Sequence, residues 1–248
     1  MLNRERQQDI LSFLRTQGGF VTVKALCDRF YASESSIRRD LRALEDDGMV
    51  RRAYGGAEAT GFGGVSAFGR RVRQNEAEKR DIAKKAAALV HDGDVIFLDQ
   101  SSTAFYLAGE LSRRSLTIFT NSLEILMLLS DSSVRVFSSG GYLSERNRAC
   151  LVGGDACASF RGVRATAAFF STGALSDDGF ILDYDREEVL VREAMLSSAA
   201  RRVFLCDSSK FGGSAPYVQC ALSSVEYMIS EGKSAQRFKE VCGGAVLV

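Results

Sequence analysis

The chain has 248 residues, 46% of them hydrophobic and 25% charged, with 32 basic side chains against 31 acidic ones and a formal net charge of +1. Such proportions belong to a soluble globular protein and exclude a chain that is basic throughout, so any affinity for nucleic acid has to come from a local arrangement of arginines. The length suits one large domain or a small domain joined to a medium one.

Met1-Leu2-Asn3-Arg4-Glu5-Arg6 opens the chain with no long apolar run behind it. The expectation is a cytoplasmic protein with neither signal peptide nor membrane span. The six cysteines (Cys27, Cys150, Cys157, Cys206, Cys220, Cys242) contain no C-x-x-C pair and fall in segments that otherwise read as core. Free buried thiols are expected, with a Cys150/Cys157 redox pair as the rival reading. His91 is the only histidine. That nearly closes off Ser-His-Asp and Cys-His catalysis and multi-histidine metal sites, so no metal and no cofactor is expected.

In chain order, residues 4–17 form a first helix with Ile10, Leu11 and Leu14 as its stripe, Phe13 beside it and Gly18-Gly19 at its end. Val21 lies in a short link. Thr22 caps a second helix over 23–30 that buries Val23, Leu26 and Phe30. Tyr31-Ala32 is a tight turn into a third helix, capped by Ser33, whose hydroxyl accepts from an orphan first-turn amide. In that helix Ile37, Leu41 and Leu44 follow i, i+4, i+7, Ser35 and Ser36 occupy the first turn, and Arg38, Arg39 and Arg42 point elsewhere. Gly48 ends it. Residues 49–58 read as a small hairpin with Arg51, Arg52 and Tyr54 before a Gly55-Gly56 turn. Three helices followed by a basic-tipped hairpin make a winged helix-turn-helix, in which the third helix enters the major groove and the hairpin follows the phosphate backbone. Residues 1–60 hold ten Arg and Lys and nine Asp and Glu, so the targeting lies in placement: the arginines gather on the third helix and wing.

Several pieces carry a family resemblance: Glu5-Arg6, the run Ser33-x-x-Ser36-Ile37-Arg38-Arg39-Asp40-Leu41, Leu44-Glu45-x-x-Gly48, and Arg52-x-Tyr54-Gly55-Gly56-Ala57. The segment resembles the DNA-binding domain of DeoR-family bacterial transcriptional regulators. The resemblance implies base contacts mainly from Ser35, Ser36 and Arg39 near the Ser33 cap. It implies phosphate contacts from Arg38, Arg42, Arg51, Arg52 and Tyr54.

Gly61-Phe62-Gly63-Gly64-Val65-Ser66 reads as a flexible hinge. The expected organisation is a DNA-binding domain at 1–58, a linker at 59–75 and an α/β domain at 76–248. Phe68, Arg70 and Arg73 show no clear period. Residues 76–90 read as a helix whose charges mostly face solvent, with Glu78-Lys79 and Ile82-Ala83 also matching the family.

The remainder alternates apolar strands (95–98, 116–119, 134–137, 167–170, 202–205, 225–229, 245–248) with helices (103–111, 123–129, 187–200 and a short one from Ala235). Continuous apolar strands between helices indicate a mostly parallel sheet covered on both faces. In open α/β sheets, ligands bind beyond the carboxyl ends of the strands. Five strands here end in Asp99-Gln100-Ser101-Ser102-Thr103, Thr120-Asn121-Ser122, Ser138-Ser139-Gly140-Gly141, Ser171-Thr172-Gly173 and Cys206-Asp207-Ser208-Ser209-Lys210-Phe211-Gly212. Hydroxyls and free amides at helix N-termini favour anions, above all phosphate, and Lys210 adds charge. Asp99 suits sugar hydroxyls instead. No G-x-G-x-x-G follows any strand, which disfavours a dinucleotide.

This half also resembles the DeoR-family effector domain, which is related to sugar-phosphate isomerases of the ribose-5-phosphate isomerase type. The matching pieces are Asp99 to Thr103, Thr120-Asn121-Ser122-Leu123, Gly140-Gly141, Val152-Gly153 and Asp207 to Gly212. Ser101 stands where the family usually has glycine, Arg192 where a lysine is common, and an aspartate often found before the Phe-rich strand looks replaced around Thr166. The resemblance implies an effector site drawn from Asp99, Ser101, Ser102, Thr103, Thr120, Asn121, Gly140, Gly141, Gly153, Arg192 and Lys210. The expected protein is a regulator, most often a repressor in this family, of sugar metabolism. Its partners would be an operator in double-stranded DNA, a phosphorylated sugar or sugar alcohol, and further copies of itself, with no membrane. The rival is a sugar-phosphate isomerase or hydrolase with an appended helix-turn-helix, using Asp99, Asp207 and Lys210 as acid, base and electrostatic stabiliser.

Overall fold

The computed structural model describes residues 2–17, 20–47, 49–59 and 67–247. The helix ends expected at Gly18-Gly19 and Gly48, and the glycine-rich stretch 61–66, lie outside the described residues. The chain divides into two compact units, residues 1–74 and 75–248.

In the first unit α1 (Leu2–Gln17), β1 (Val21–Thr22), α2 (Val23–Phe30), α3 (Glu34–Asp46), β2 (Val50–Ala53) and β3 (Gly56–Ala59) follow in order. Ile10, Leu14, Val23, Leu26, Ile37, Leu41, Leu44, Val50 and Ala57 form one buried cluster. Full burial of a Leu- or Ile-sized side chain contributes roughly 1.5–3 kcal/mol, so this cluster holds the small unit together. Thr22 caps α2 by accepting from the Ala25 amide at 3.2 Å, and Ser33 caps α3 by accepting from the Ser36 amide at 3.4 Å. Val21, expected in a link, instead pairs with Ala57 while Thr22 pairs with Gly56, so the wing is a three-stranded sheet in the order β1-β3-β2. Gly56 permits that approach, because a Cβ there would sit 2.2 Å from the Val21 carbonyl oxygen. The stretch 59–75, expected as linker, contains a further helix, α4 (Ala67–Arg73), with Phe68 buried. Seven residues make about two turns, too few for a hydrophobic period to declare itself.

The second unit runs α5 (Glu76–Ala87), β4 (Val95–Leu98), α6 (Ser102–Leu111), β5 (Thr117–Thr120), α7 (Leu123–Leu129), β6 (Arg135–Ser138), β7 (Tyr142–Leu143), β8 (Leu151–Val152), α8 (Gly154–Arg161), β9 (Ala167–Phe170), β10 (Ala174–Leu175), β11 (Phe180–Asp183), α9 (Arg186–Ser197), β12 (Arg202–Leu205), β13 (Tyr217–Ala221), β14 (Tyr227–Ile229) and β15 (Ala245–Leu247). Seven strands form one sheet in the order β15-β14-β12-β9-β4-β5-β6, every neighbouring pair parallel. Phe97, Ala168, Phe170 and Phe204 cluster with Phe160 of α8 and with Val191, Ala194 and Met195 of α9. Strand residues alternate faces, so Ile96, Leu98, Phe169 and Leu205, all buried, point to the other side, where α5 and α6 contact the sheet. The short helix expected from Ala235 is a 3-10 turn, Lys233–Phe238. Sequence reading left two features unread: the antiparallel sheet β10-β11-β13 and the β7–β8 hairpin with α8 behind it.

The order of strands carries the functional consequence. From β4 the chain builds outward through β5 and β6, then returns to build the opposite way through β9, β12, β14 and β15. The reversal lies between β4 and β9, and such a switch point opens a crevice at the carboxyl ends.

Candidate DNA-reading surface and effector site

On α3 the apolar stripe faces the core, and Ser35, Arg38, Arg39 and Arg42 are exposed, with Ser36 half-buried. Ser33 Oγ donates to Ser36 Oγ at 3.0 Å and lies 3.1 Å from Ser35 Oγ, so the three hydroxyls form one cluster at the helix tip. Arg38 pairs with Glu34 one turn earlier at 3.1 Å. Arg39 and Arg42 form no ion pair among the described residues. On the wing, Arg51 Nε donates to Glu58 across the hairpin at 2.8 Å, and Arg52 Nε donates to Glu45 of α3 at 2.5 Å. The Arg52 hydrogen bond holds the Glu45 carboxyl below its usual range. Tyr54 is fully exposed before the turn, and Tyr31, in the left-handed conformation at the α2–α3 turn, is 96% exposed.

Asp40 belongs to the same run but not to the surface. It is 0% exposed and accepts from Arg6 Nε at 2.6 Å and Gln7 Nε2 at 3.1 Å, both on α1. The carboxylate clamps α3 to α1. Sequence reading gave it no role, although its position on the stripe (37, 40, 41, 44) is that of a residue facing inward.

In the second unit the ends of β5, β4, β9 and β12 lie side by side, bringing Asn121, Asp99, Ser171 and Asp207 to one edge. Asp99 is fully buried, accepting from the Ser101 and Ser171 amides, each at 3.1 Å, and from Arg192 Nε at 3.0 Å. Ser101 caps α6 by accepting from the Ala104 amide at 3.1 Å. Its backbone is extended, so nothing there demands glycine. Lys210, on the 3-10 turn Ser208–Lys210, donates to Ser171 Oγ at 2.5 Å and lies 3.4 Å from Asp207 Oδ2. Burial works to raise the Asp207 pKa, but the Lys210 charge, hydrogen bonds from Ser209 and Asn75, and Lys79 outweigh it and hold the carboxyl below its usual value.

Arg192 is 1% exposed and reaches Asp183 at 2.9 Å and Glu188 at 3.6 Å besides Asp99, while its NH1 donates to Gln219 at 2.8 Å. Burial alone would lower its pKa; the charges of Asp183, Asp99 and Glu188 raise it instead. Glu188 accepts from Gln100 at 2.6 Å and Asn147 at 2.9 Å, and burial pushes its carboxyl up against the pull of Arg192. Asn121 Nδ2 donates to Gln100 Oε1 at 3.2 Å and to the Leu151 carbonyl at 3.1 Å. Two buried polar atoms at this edge, Thr103 Oγ1 and Asn121 Oδ1, have no hydrogen-bond partner among the described residues. A buried acceptor or hydroxyl left unpaired is costly, so atoms of this kind mark a place for a donor or acceptor from outside.

The other expected residues take different places. Thr120 Oγ1 accepts from the Ser122 amide at 3.1 Å, closing the turn into α7, and Ser102 is buried in the first turn of α6. Gly141 and Gly153, at φ 96° and 98°, meet the β7–β8 hairpin closely: a Cβ would lie 2.3 Å from the Val152 oxygen and 2.4 Å from the Tyr142 ring respectively, whereas Gly140 faces open space. Lys79, read as part of a solvated helix face, is 5% exposed. Asn75, Ser171, Asp183 and Glu188 also join the site without having been selected. The available signals were the i, i+4 spacing of Asn75 with Lys79 and of Glu188 with Arg192.

Cys150 and Cys157 are unpaired, and burial raises both thiols, Cys150 by far the more. Among the described residues no group of His, Cys, Asp and Glu side chains is placed to hold a metal, and no helix is long and apolar enough to cross a membrane.

Residues 6–60 match the family described as DeoR-like helix-turn-helix domain, and residues 74–232 match the DeoR C terminal sensor domain. The lactose phosphotransferase system repressor of Lactococcus lactis subsp. lactis is 33% identical, over 85% of this chain and 84% of its own. The HTH-type transcriptional repressor GlcR of Bacillus subtilis is 29% identical, over 96% and 92%. Among solved structures, ribose 5-phosphate isomerase A of Methanocaldococcus jannaschii aligns at a TM-score of 0.42 with 22% identity, covering 55% of each chain. The lactose phosphotransferase system repressor and GlcR are transcriptional repressors, and this chain, a helix-turn-helix joined to a sensor domain, belongs to the DeoR family of transcriptional regulators.

Proposed function

We propose that the protein represses an operon of sugar metabolism and is released from its operator by a phosphorylated sugar or sugar alcohol. The observation that carries this reading is Lys210, held between Ser171 and Asp207 at the β4/β9 reversal. The site has two chemically distinct halves. Around Arg192 three carboxylates surround one cation, which repels a phosphate but suits hydroxyl donors. Around Lys210 an ammonium, the Ser171 hydroxyl and nearby Lys79 suit a phosphate, while Gln100 and the unpaired Asn121 Oδ1 and Thr103 Oγ1 suit the sugar. Arg192 then acts beneath the ligand, fixing Asp99, in place of the lysine common in the family.

On the DNA side, we assign base contacts to Ser35, Ser36 and Arg39 and phosphate contacts to Arg38, Arg42, Arg51, Arg52 and Tyr54. The pairs of Arg38, Arg51 and Arg52 with acids are surface pairs of small worth, which a phosphate can displace. One winged helix reads a short stretch, so two copies pairing half-sites complete the operator contact.

The test is a gel shift on DNA upstream of the protein's own gene, at fixed salt, with and without a panel of sugar phosphates. Release by one phosphorylated sugar and not by its unphosphorylated counterpart is the expected result. Specific binding that no member of the panel alters would sink the effector reading while leaving the regulator. Lys210→Ala is expected to weaken the response with DNA affinity in its absence preserved.

A further inference from the structure

Tyr31 occupies the C-cap position of α2, two residues before the Ser33 cap of α3. Its amide bonds to the Cys27 carbonyl, as does the Ala32 amide at 3.3 Å, and closing the helix in this way puts Tyr31 at φ 50° and ψ 42°. Helices that end so usually place glycine there, because a Cβ is crowded in the left-handed region and a bulky residue costs free energy. Packing could offset that cost, but Tyr31 is 96% exposed and its phenol makes no hydrogen bond among the described residues. Its neighbour Phe30 shows the contrast: it is half-buried, its ring edge-on to Phe13 at 5.8 Å. Tyr31 and Tyr54 are the most exposed large apolar or aromatic side chains among the described residues, and both stand at tight turns of the DNA-reading unit. A bulky residue held in a sparsely populated conformation, with nothing in the fold holding its side chain, points to a use outside the fold.

We propose that Tyr31 is a further DNA contact, its phenol donating to a phosphate oxygen on the rim of the groove that α3 enters. This rests on the reading of α3 as the helix that docks. In a helix-turn-helix the N-terminal residues of the second helix meet base edges, so a side chain just ahead of that tip stands at the groove's edge, where the phosphates run. Tyrosine is among the donors that serve phosphates there. The basic side chains around the turn are engaged: Arg29 lies 5.8 Å and 5.9 Å from the centroids of the Phe13 and Phe30 rings, and Arg38 pairs with Glu34 at 3.1 Å. Asp28 and Glu34 add negative charge to the turn, so what it offers a phosphate is a neutral donor and not a cation. Such a contact strengthens binding to every sequence alike and, unlike an arginine, releases no counterion.

The experiment uses the full chain, a DNA fragment that the protein itself selects from a random library, and a random fragment of the same length. Affinities are read by anisotropy over a series of salt concentrations, and folding by thermal melting. Tyr31→Phe keeps the ring and the backbone and removes only the hydroxyl; Tyr31→Gly removes the whole side chain and suits the left-handed backbone. Tyr31→Phe is expected to bind both fragments about tenfold more weakly, the size of one hydrogen bond to a charged group, with the slope of log K against log salt unchanged. Tyr31→Gly is expected to lose at least as much affinity while melting at or above the temperature of the natural protein. Weaker binding by a protein that is no less stable is not a folding defect. Affinity in Tyr31→Phe equal to that of the natural protein would overturn the contact, and a loss confined to the selected fragment would overturn the phosphate assignment. A lower melting temperature in Tyr31→Gly would show that the side chain supports the fold, and would overturn the argument from strain. Arg39→Ala, further along α3, reports on the helix itself. If it changes neither affinity, the docking of α3 is wrong, and Tyr31→Phe still decides whether the phenol meets DNA.

Discussion

The two units use charge in opposite ways. In the DNA-reading unit Arg39 and Arg42 stand in solvent, and Arg38, Arg51 and Arg52 pair with acids at the surface. In the sensor unit Arg192 is buried among Asp99, Asp183 and Glu188, and Lys210 is tied to Ser171 and Asp207. A surface that meets a long polyanion can display its cations one by one, each weakly coupled to the next because water screens them. A pocket built in a low-dielectric interior has to pair every charge, so no single residue there has a meaning apart from its partners.

The sharpest way to break that contrast is Arg192→Met. It leaves the buried Asp99 and Asp183 and the half-buried Glu188 without their cation, and breaking a buried pair by removing one partner costs about 3–5 kcal/mol. Urea unfolding followed by circular dichroism is expected to show a loss of that size in the sensor unit. A loss of the size seen for exposed pairs would erase the distinction between the units. Asp40→Ala tests a buried charge of the DNA-reading unit. Removing the acceptor of Arg6 and Gln7 is expected to cost about 1–3 kcal/mol, read as a lower melting temperature of that unit.

Arg39→Ala should do the reverse, leaving stability intact and removing operator selectivity, a discrimination of about 1–3 kcal/mol against altered sites. Equal weakening on operator and random DNA would move Arg39 to the phosphate contacts. Arg51→Ala is expected to weaken binding to all sequences alike and to lower the slope of log K against log salt by about one. An unchanged slope would keep Arg51 with Glu58 and off the DNA. The smallest effect concerns pH. Asp207 is held below its ordinary pKa of 3.8, so its contribution to stability is present above that value and is lost as the pH falls through the folded one. Asp207→Asn should therefore flatten the acid limb of a stability profile. A limb of unchanged steepness would mean that Asp207 is not what the acid titrates.

How much of this was legible depended on whether a residue acts through the chain or across space. Ser33 as a cap and Ile37, Leu41 and Leu44 as the inward stripe follow from spacing along a single helix, and the structure places them so. The parallel sheet was legible because strands buried on both faces must be apolar throughout, as in Val95-Ile96-Phe97-Leu98. The antiparallel strands β10, β11 and β13 passed unread because Ala174-Leu175 is only two residues long and β11 pairs with β13 across α9 and the main-sheet strand β12. Lys79 resembled any other lysine on a charged helix until Asp207, far along the chain, was brought against it.

Local periodicity, capping and turn chemistry settle the helices, the strands and the exposed arginines before any folding is known, because these properties depend on neighbours a few residues apart. Folding settles which charges lose their water. Asp99, Asp183 and the Glu188–Arg192 pair of α9 come from three separate segments, and Asn75 meets Asp207 from 132 residues away along the chain. Burial, which no local pattern encodes, turns those ordinary polar residues into a single coupled site.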